Sequence, residues 1–244
     1  MVSGMAERLQ AVVARMARAC ERVGRDPAGV RMVAVSKTHG PANVRAACEL
    51  GVTVFGENRV QEARQKIPLC PGQAVWHLVG HLQTNKVRPA LALFEMIHSV
   101  DSLKLLLALD VAADQAGRRL PVCLEVNVAG EASKFGLPPD QVAGVLRETA
   151  HLRRLDVVGL MAIPPVSAES EGTRPHFRRL RELRDDLQQS SGYGLPELSM
   201  GMSQDFEVAV GATWIRLGTV LFGRRDSWKP ARLPQGGETD GGDQ

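Results

Sequence analysis

Apolar residues recur at three- and four-residue spacing near the start of the chain, at Leu9, Val12, Val13, Met16 and Cys20, and predict an amphipathic helix over 5–23. After Asp26-Pro27 the pattern changes to short, nearly unbroken apolar runs at 32–36, 52–55, 75–79, 96–100, 122–128, 157–162, 198–200 and 214–217, separated by helix-capable stretches. Strands covered on both faces lose the alternation of a half-exposed sheet, so these runs read as parallel strands of β/α units. Eight such units predict an α/β fold closed into a single (β/α)8 TIM barrel, with the first helix as an addition in front of it. An open doubly wound sheet is the alternative; no G-x-G-x-x-G follows the first run to support it. The seventh run is the shortest and follows Tyr193-Gly194-Leu195-Pro196.

Length agrees with one barrel: 244 residues with 44% apolar content suffice for one sizeable core. Residues 1–230 are expected to form that domain. The stretch 231–244, with Gly236-Gly237 and Gly241-Gly242 among acids and amides, has too little apolar surface to fold and is expected to be a disordered tail. The net charge of +3 points to no polyanionic partner: the densest basic run, Arg178-Arg179-Leu180-Arg181, is followed by Glu182, Asp185 and Asp186 and reads as a solvated helix face. Cys20, Cys48, Cys70 and Cys123 form no C-x-x-C pair and read as reduced packing residues of a cytoplasmic protein. No apolar run approaches the ~18 residues of a membrane span, and the N-terminus carries charges where a signal peptide would be apolar.

Candidate chemistry lies where charged residues interrupt the apolar runs. In Arg31-Met32-Val33-Ala34-Val35-Ser36-Lys37, alternation puts Lys37 on the Val33 and Val35 face at the carboxyl end of the first strand, the end where this fold builds its sites. An ammonium in apolar surroundings is pushed toward the neutral amine that attacks aldehydes, although a lysine ending a strand also simply reaches water. Trp214, Arg216 and Gly218 share a face of the eighth strand, so Arg216 either serves a ligand acceptor inside the barrel or pairs with a carboxylate such as Glu125. Gly218-Thr219 offers backbone N–H groups and a hydroxyl where barrels bind phosphate, and Ser203 is expected to cap a helix starting near Gln204. Asn58, His81, Ser99, Glu125 and Asn127 are further polar residues at strand ends. His77 and His81, four apart on a strand, would lie roughly 13 Å from each other, too far to share a metal.

The set Ala34-Val35-Ser36-Lys37-Thr38, Phe55-Gly56-Glu57-Asn58, Trp76-His77-Leu78-Val79-Gly80-His81-Leu82-Gln83-Thr84-Asn85-Lys86, His98-Ser99-Val100-Asp101, Glu131-Ala132-Ser133-Lys134-Phe135-Gly136-Leu137, Gly159-Leu160-Met161-Ala162-Ile163-Pro164, Leu198-Ser199-Met200-Gly201-Met202-Ser203 and Arg216-Leu217-Gly218-Thr219 resembles, in that order, the pyridoxal phosphate homeostasis proteins, the YggS or PROSC family. The resemblance implies a barrel of the alanine racemase N-terminal type (fold type III) with pyridoxal 5'-phosphate (PLP) as a Schiff base on Lys37. It also implies Arg216 at the pyridine nitrogen, Asn58 near the ring, phosphate in the region of Ser203, Gly218 and Thr219, and a rim that includes His81, Ser99, Met200 and Gly201. The implied role is buffering or delivery of PLP, with apo-enzymes as recipients, a monomer or weak dimer as the assembly, and no established reaction.

A racemase or lyase of unknown substrate is the alternative. Arg216 opposite the pyridine nitrogen would keep it unprotonated and weaken the ring as an electron sink. Racemases of this fold use a tyrosine from a second domain, whereas the sole tyrosine here is Tyr193. Three departures from the family pattern stand out: a shortened Glu207–Thr213 segment, His39-Gly40 after the lysine, and Asp226-Ser227-Trp228 near the end.

Overall fold

A computed structural model describes residues 2–131, 133–165 and 167–224 together with Trp228. The expected tail and Asp226-Ser227 lie outside the described residues. Eight parallel strands, β1 Arg31–Val35, β2 Val54–Glu57, β3 Val75–Leu78, β4 Met96–Val100, β5 Leu120–Glu125, β6 Leu155–Met161, β7 Glu197–Met202 and β8 Trp214–Leu217, close into a barrel in sequence order. The β1–β8 pairing that closes it matches Val33 with Arg216. The helices are α1 Val2–Glu21, α2 Pro41–Glu49, α3 Val60–Lys66, α4 Val87–Leu91, α5 Leu103–Gln115, α6 Val142–Glu148, α7 Arg174–Ser191 and α8 Thr219–Phe222.

The hydrophobic core forms two layers. Residues such as Ala34, Phe55, Leu78, Ile97, Leu124, Leu160, Leu198 and Ile215 fill the layer between strands and helices. Val33, Val35, Val79, Met96, Cys123, Met161 and Trp214 fill the barrel itself. Burial on both faces is why the runs looked unbroken in sequence. It also blurred their ends: β2 begins later than its run, and β5 stops at Glu125 because Leu137 takes the next ladder position, its N–H donating to the Glu125 carbonyl.

The largest difference from expectation lies between β7 and β8. No α-helix starts near Gln204 and Ser203 caps none; a single 3-10 turn, Phe206–Val208, follows Asp205. The chain from 203 to 213 must cross from one end of the barrel to the other and turns at Gly211 (φ 102), which leaves no length for a helix. The added helix α1 covers this region: Arg15 bonds Glu207 at 2.8 Å and lies over the Phe206 ring, and Arg8 Nε donates to Leu221 O at 2.7 Å. Within α1, Val12 is buried, while Val13, expected on the same apolar stripe, is 49% exposed. Two of the departures meet each other, since a Cβ on Gly40 would lie 3.0 Å from Cδ1 of Trp228; glycine makes room for that indole.

Candidate functional site

The carboxyl ends of β7, β8, β1 and β2 form one arc of the barrel mouth, and the expected cofactor residues lie along it. Val33 and Val35 face the barrel interior, and Lys37, the next residue of that alternation, stands half-buried just past β1. A Cβ on Gly218 would lie 3.2 Å from the Val35 carbonyl, so the end of β8 is packed directly against the end of β1. Ser203, in place of capping a helix, accepts from the Gly218 and Val220 N–H groups at 3.2 and 3.4 Å and ties the loop after β7 to the loop after β8. Thr219 follows, exposed. Asn58, after β2, is half-buried, and its backbone occupies space that only a glycine at position 80 leaves: a Cβ there would stand 2.4 Å from the Asn58 carbonyl oxygen.

Below this arc Arg216 is buried inside the barrel, but its partner is not Glu125. Nη1 donates to Ser199 Oγ at 2.7 Å and Nη2 to the Ala162 carbonyl at 2.9 Å, just past the end of β6. Burial pulls its pKa down to about 10, with Glu125 and Asp205 acting in the opposite direction, so it remains a cation at neutral pH. Ser199 Oγ is also 2.7 Å from His98 Nδ1, and His98 Nε2 is 3.0 Å from His77 Nδ1. With a cation donating into Oγ, the hydroxyl hydrogen is best placed on the His98 side, and each later donor points away from the charge. Burial lowers the pKa of both rings, to about 4 for His77, where Arg31 adds to the effect. Both histidines are therefore neutral links of a chain reaching from the barrel interior to the guanidinium. Burial raises the Glu125 carboxyl to about 7, against the pull of Arg216.

Three of the four rim residues are placed differently from expectation. Ser99 is fully buried, its hydroxyl donating to the Gly80 carbonyl at 2.6 Å, and acts as a strut beneath the loop after β3. Met200 packs in the outer layer, because its neighbour Ser199 takes the inward direction. Gly201 is buried in the left-handed region (φ 89), tight against Phe206 and Ala209. Of the four, His81 is the exposed one, with Nδ1 2.9 Å from Asp101 Oδ2 and its ring stacked on Phe135 at 3.8 Å. Asn127 is turned to its own loop, donating to the Glu131 carbonyl. Tyr193 lies in the α7–β7 connection at the amino-terminal end of the barrel, opposite the mouth, and packs on the outer layer.

Sequence reasoning missed a buried ionic group behind Lys37. Lys66 Nζ, fully buried, contacts Glu57 Oε1 at 2.7 Å, Glu62 Oε1 at 2.8 Å and the Ser36 carbonyl at 2.8 Å. Burial pushes the Glu57 carboxyl up to about 7, with Lys66 acting against it, and its Oε2 has no hydrogen-bond partner. A signal existed: Lys66 follows Val60 and Ala63 at helical spacing on the buried face of α3. Among the described residues, no three potential ligands gather to hold a metal ion, and no helix is long and apolar enough to cross a membrane.

The alanine racemase N-terminal domain family matches residues 8–226. A pyridoxal phosphate homeostasis protein of Pseudomonas aeruginosa is 45% identical over 233 residues, covering 94% of this chain and 100% of that protein. The chain belongs to the pyridoxal phosphate homeostasis protein family. A relative of the same description from Aquifex aeolicus is 43% identical over 90% of this chain and 97% of its own length. Among solved structures, PipY of Synechococcus elongatus with PLP bound shares 40% identity at a TM-score of 0.79, covering 90% of this chain and all of that one. Alanine racemase of Clostridium difficile, at 13% identity and a TM-score of 0.71, covers 93% of this chain but 58% of its own and shows the shared barrel alone.

Proposed function

We propose that this chain binds PLP as a reversible Schiff base on Lys37 and serves in PLP homeostasis as a holder that buffers or delivers the cofactor to apo-enzymes, without turnover of its own. The observation that carries the reading is the meeting, on adjoining strands, of an amine at the barrel mouth with a guanidinium and backbone N–H donors. The Arg216 guanidinium and the N–H groups around Gly218 suit a ring nitrogen and a phosphate, which are acceptors. Lys37 would supply the amine, Arg216 a donor to the ring nitrogen, Ser203, Gly218 and Thr219 the phosphate contacts, and Asn58 an edge near the ring. When bound, PLP contributes an aldehyde and an electron-withdrawing ring. Arg216 would lend that ring a hydrogen bond but not a proton, which suits holding better than carbanion chemistry.

One observation favours an enzyme acting on a small amino acid. His81, bonded to Asp101, would be the residue at the mouth to serve such an enzyme as acid or base. Tyr193 gives that reading no second base, since it lies at the other end of the barrel.

The test is the absorbance spectrum of the purified protein with PLP before and after borohydride, followed by peptide mass mapping. The expected result is a visible imine band that reduction abolishes, a pyridoxyl mass on Lys37, and neither in Lys37→Ala. No adduct on Lys37 in the wild-type protein overturns the proposal. Exchange of the α-hydrogen of added amino acids into solvent would favour the enzyme over the holder.

A further inference from the structure

We propose that Lys66 is a positioning residue for Lys37, gripping the backbone on both sides of it and fixing the turn from which its amine is presented; this rests on Lys37 being the residue that holds PLP. The grip is made of short contacts. Lys66 Nζ donates to the carbonyl of Ser36 at 2.8 Å, immediately before Lys37, and Glu62 Oε1 accepts the N–H of Thr38 at 2.7 Å, immediately after it. Lys66 joins the two halves by bonding Glu62 Oε1 and Glu57 Oε1, and Ser36 Oγ donates to the same Glu57 oxygen at 2.6 Å. The Trp228 ring, its centroid 5.1 Å from Nζ, lies against the group.

Two independent features show that this is more than packing. Burying an ammonium carries a desolvation cost that an apolar side chain of equal length would avoid. What the ammonium adds is directed donors, and its three contacts all go to groups that fix residues 36 to 38, directly or through one carboxylate. The second feature is the backbone. Thr38 (φ 67) is the only non-glycine in the left-handed region among the described residues, a conformation unfavourable for a β-branched residue and held only where surrounding contacts over-determine it. Without the grip, Thr38 relaxes toward negative φ and the chain leaves β1 in another direction, taking Lys37 with it.

The experiment compares wild type, Lys66→Met, Thr38→Gly and the double variant by titration of the PLP imine band, with thermal unfolding of each apo-protein alongside. Labelling of Lys37 by formaldehyde and cyanoborohydride, read by peptide mapping against the exposed Lys104, reports on the amine without any need for orientation. Lys66→Met is expected to weaken imine formation at least ~10-fold, the scale of a lost preorganisation, while Lys37 labelling stays within about twofold of wild type. Glycine adopts positive φ without strain, so Thr38→Gly in the Lys66→Met background is expected to recover most of the PLP affinity without recovering the melting temperature. A merely structural lysine would show no such rescue. Should Lys66→Met fail to fold, Glu62→Ala, which frees the Thr38 N–H at the solvent edge of the group, is expected to weaken PLP binding in the same direction. Wild-type affinity in Lys66→Met or Glu62→Ala, or no rescue by Thr38→Gly, overturns the proposal. Failure of the Lys37 reading is separate, since it appears in wild type as the absence of a pyridoxyl mass on Lys37, and the grip then falls with it.

Discussion

Within the barrel, single buried ionisable residues set opposing pH trends. His77 has its pKa lowered to about 4 by burial and by Arg31, so between its ordinary value of 6.5 and 4 the unfolded chain takes up a proton that the native chain refuses. Stability from this source is complete above 6.5 and is lost as pH falls through 4. Glu125 and Glu57 are raised from 4.5 to about 7, chiefly by burial, so their contribution is complete below 4.5 and is lost as pH rises through 7. The two trends offset each other between 4.5 and 6.5. His77→Gln, which cannot titrate, removes that offset and is therefore expected to steepen the decline in stability from pH 4.5 to 6.5, leaving the decline toward pH 7 in place. Urea unfolding at a series of pH values from 4 to 8 checks this, and an unchanged slope between 4.5 and 6.5 would assign the offset to other groups.

Among the elements, α1 is the one whose role changes most on folding. As an isolated pattern it is an amphipathic helix with Val12 and Val13 on one stripe. Docked against α8 and the turn after β7, it buries Met5, Val12 and Cys20 and leaves Val13 49% exposed. Val12→Ala is expected to destabilise the protein by about 2 kcal/mol through lost burial and the cavity left behind, and Val13→Ala by less than about 0.5 kcal/mol. Equal losses for the two in denaturant melts would mean that α1 packs in a different rotation. The Phe206–Val208 turn shows the converse: a segment expected to form a helix lost it because the connection must reach β8 through Gly211, and α1 covers the region.

For the whole molecule, closure of the barrel is what makes a site. Lys37 and Arg216 are far apart in sequence, yet the closing pair β1–β8 sets Val33 beside Arg216, and β7 brings Ser199 and Ser203 to the same side. A cofactor that bridges these strands binds the folded chain alone, so PLP is expected to raise stability by about 2.7 kcal/mol at roughly 100 times its Kd. Lys37→Ala should lose most of that gain. Calorimetric melts over a range of PLP concentrations measure both, and equal gains in the two proteins would place the stabilising contact away from Lys37.

The sequence by itself determined the fold class and the eight runs that become strands, because strands buried on both faces leave apolar runs that survive any uncertainty at their ends. It also placed Lys37 on the face of Val33 and Val35 and Arg216 on the face of Trp214, since alternation along a strand follows from backbone geometry, and left open which way those faces turn. The pairings of buried groups were settled only by tertiary structure. Arg216 bonds Ser199 and Ala162 instead of Glu125, Ser203 joins Gly218 instead of capping a helix, and Ser99 supports Gly80 from below. Lys66 reads as one more helix charge until α3 packs behind β1 and brings it to Ser36, Glu57 and Glu62. The physical reason is common to all of them: a hydrophobic pattern records which side of an element is buried, whereas a hydrogen bond inside a closed barrel depends on which strands the closure makes neighbours.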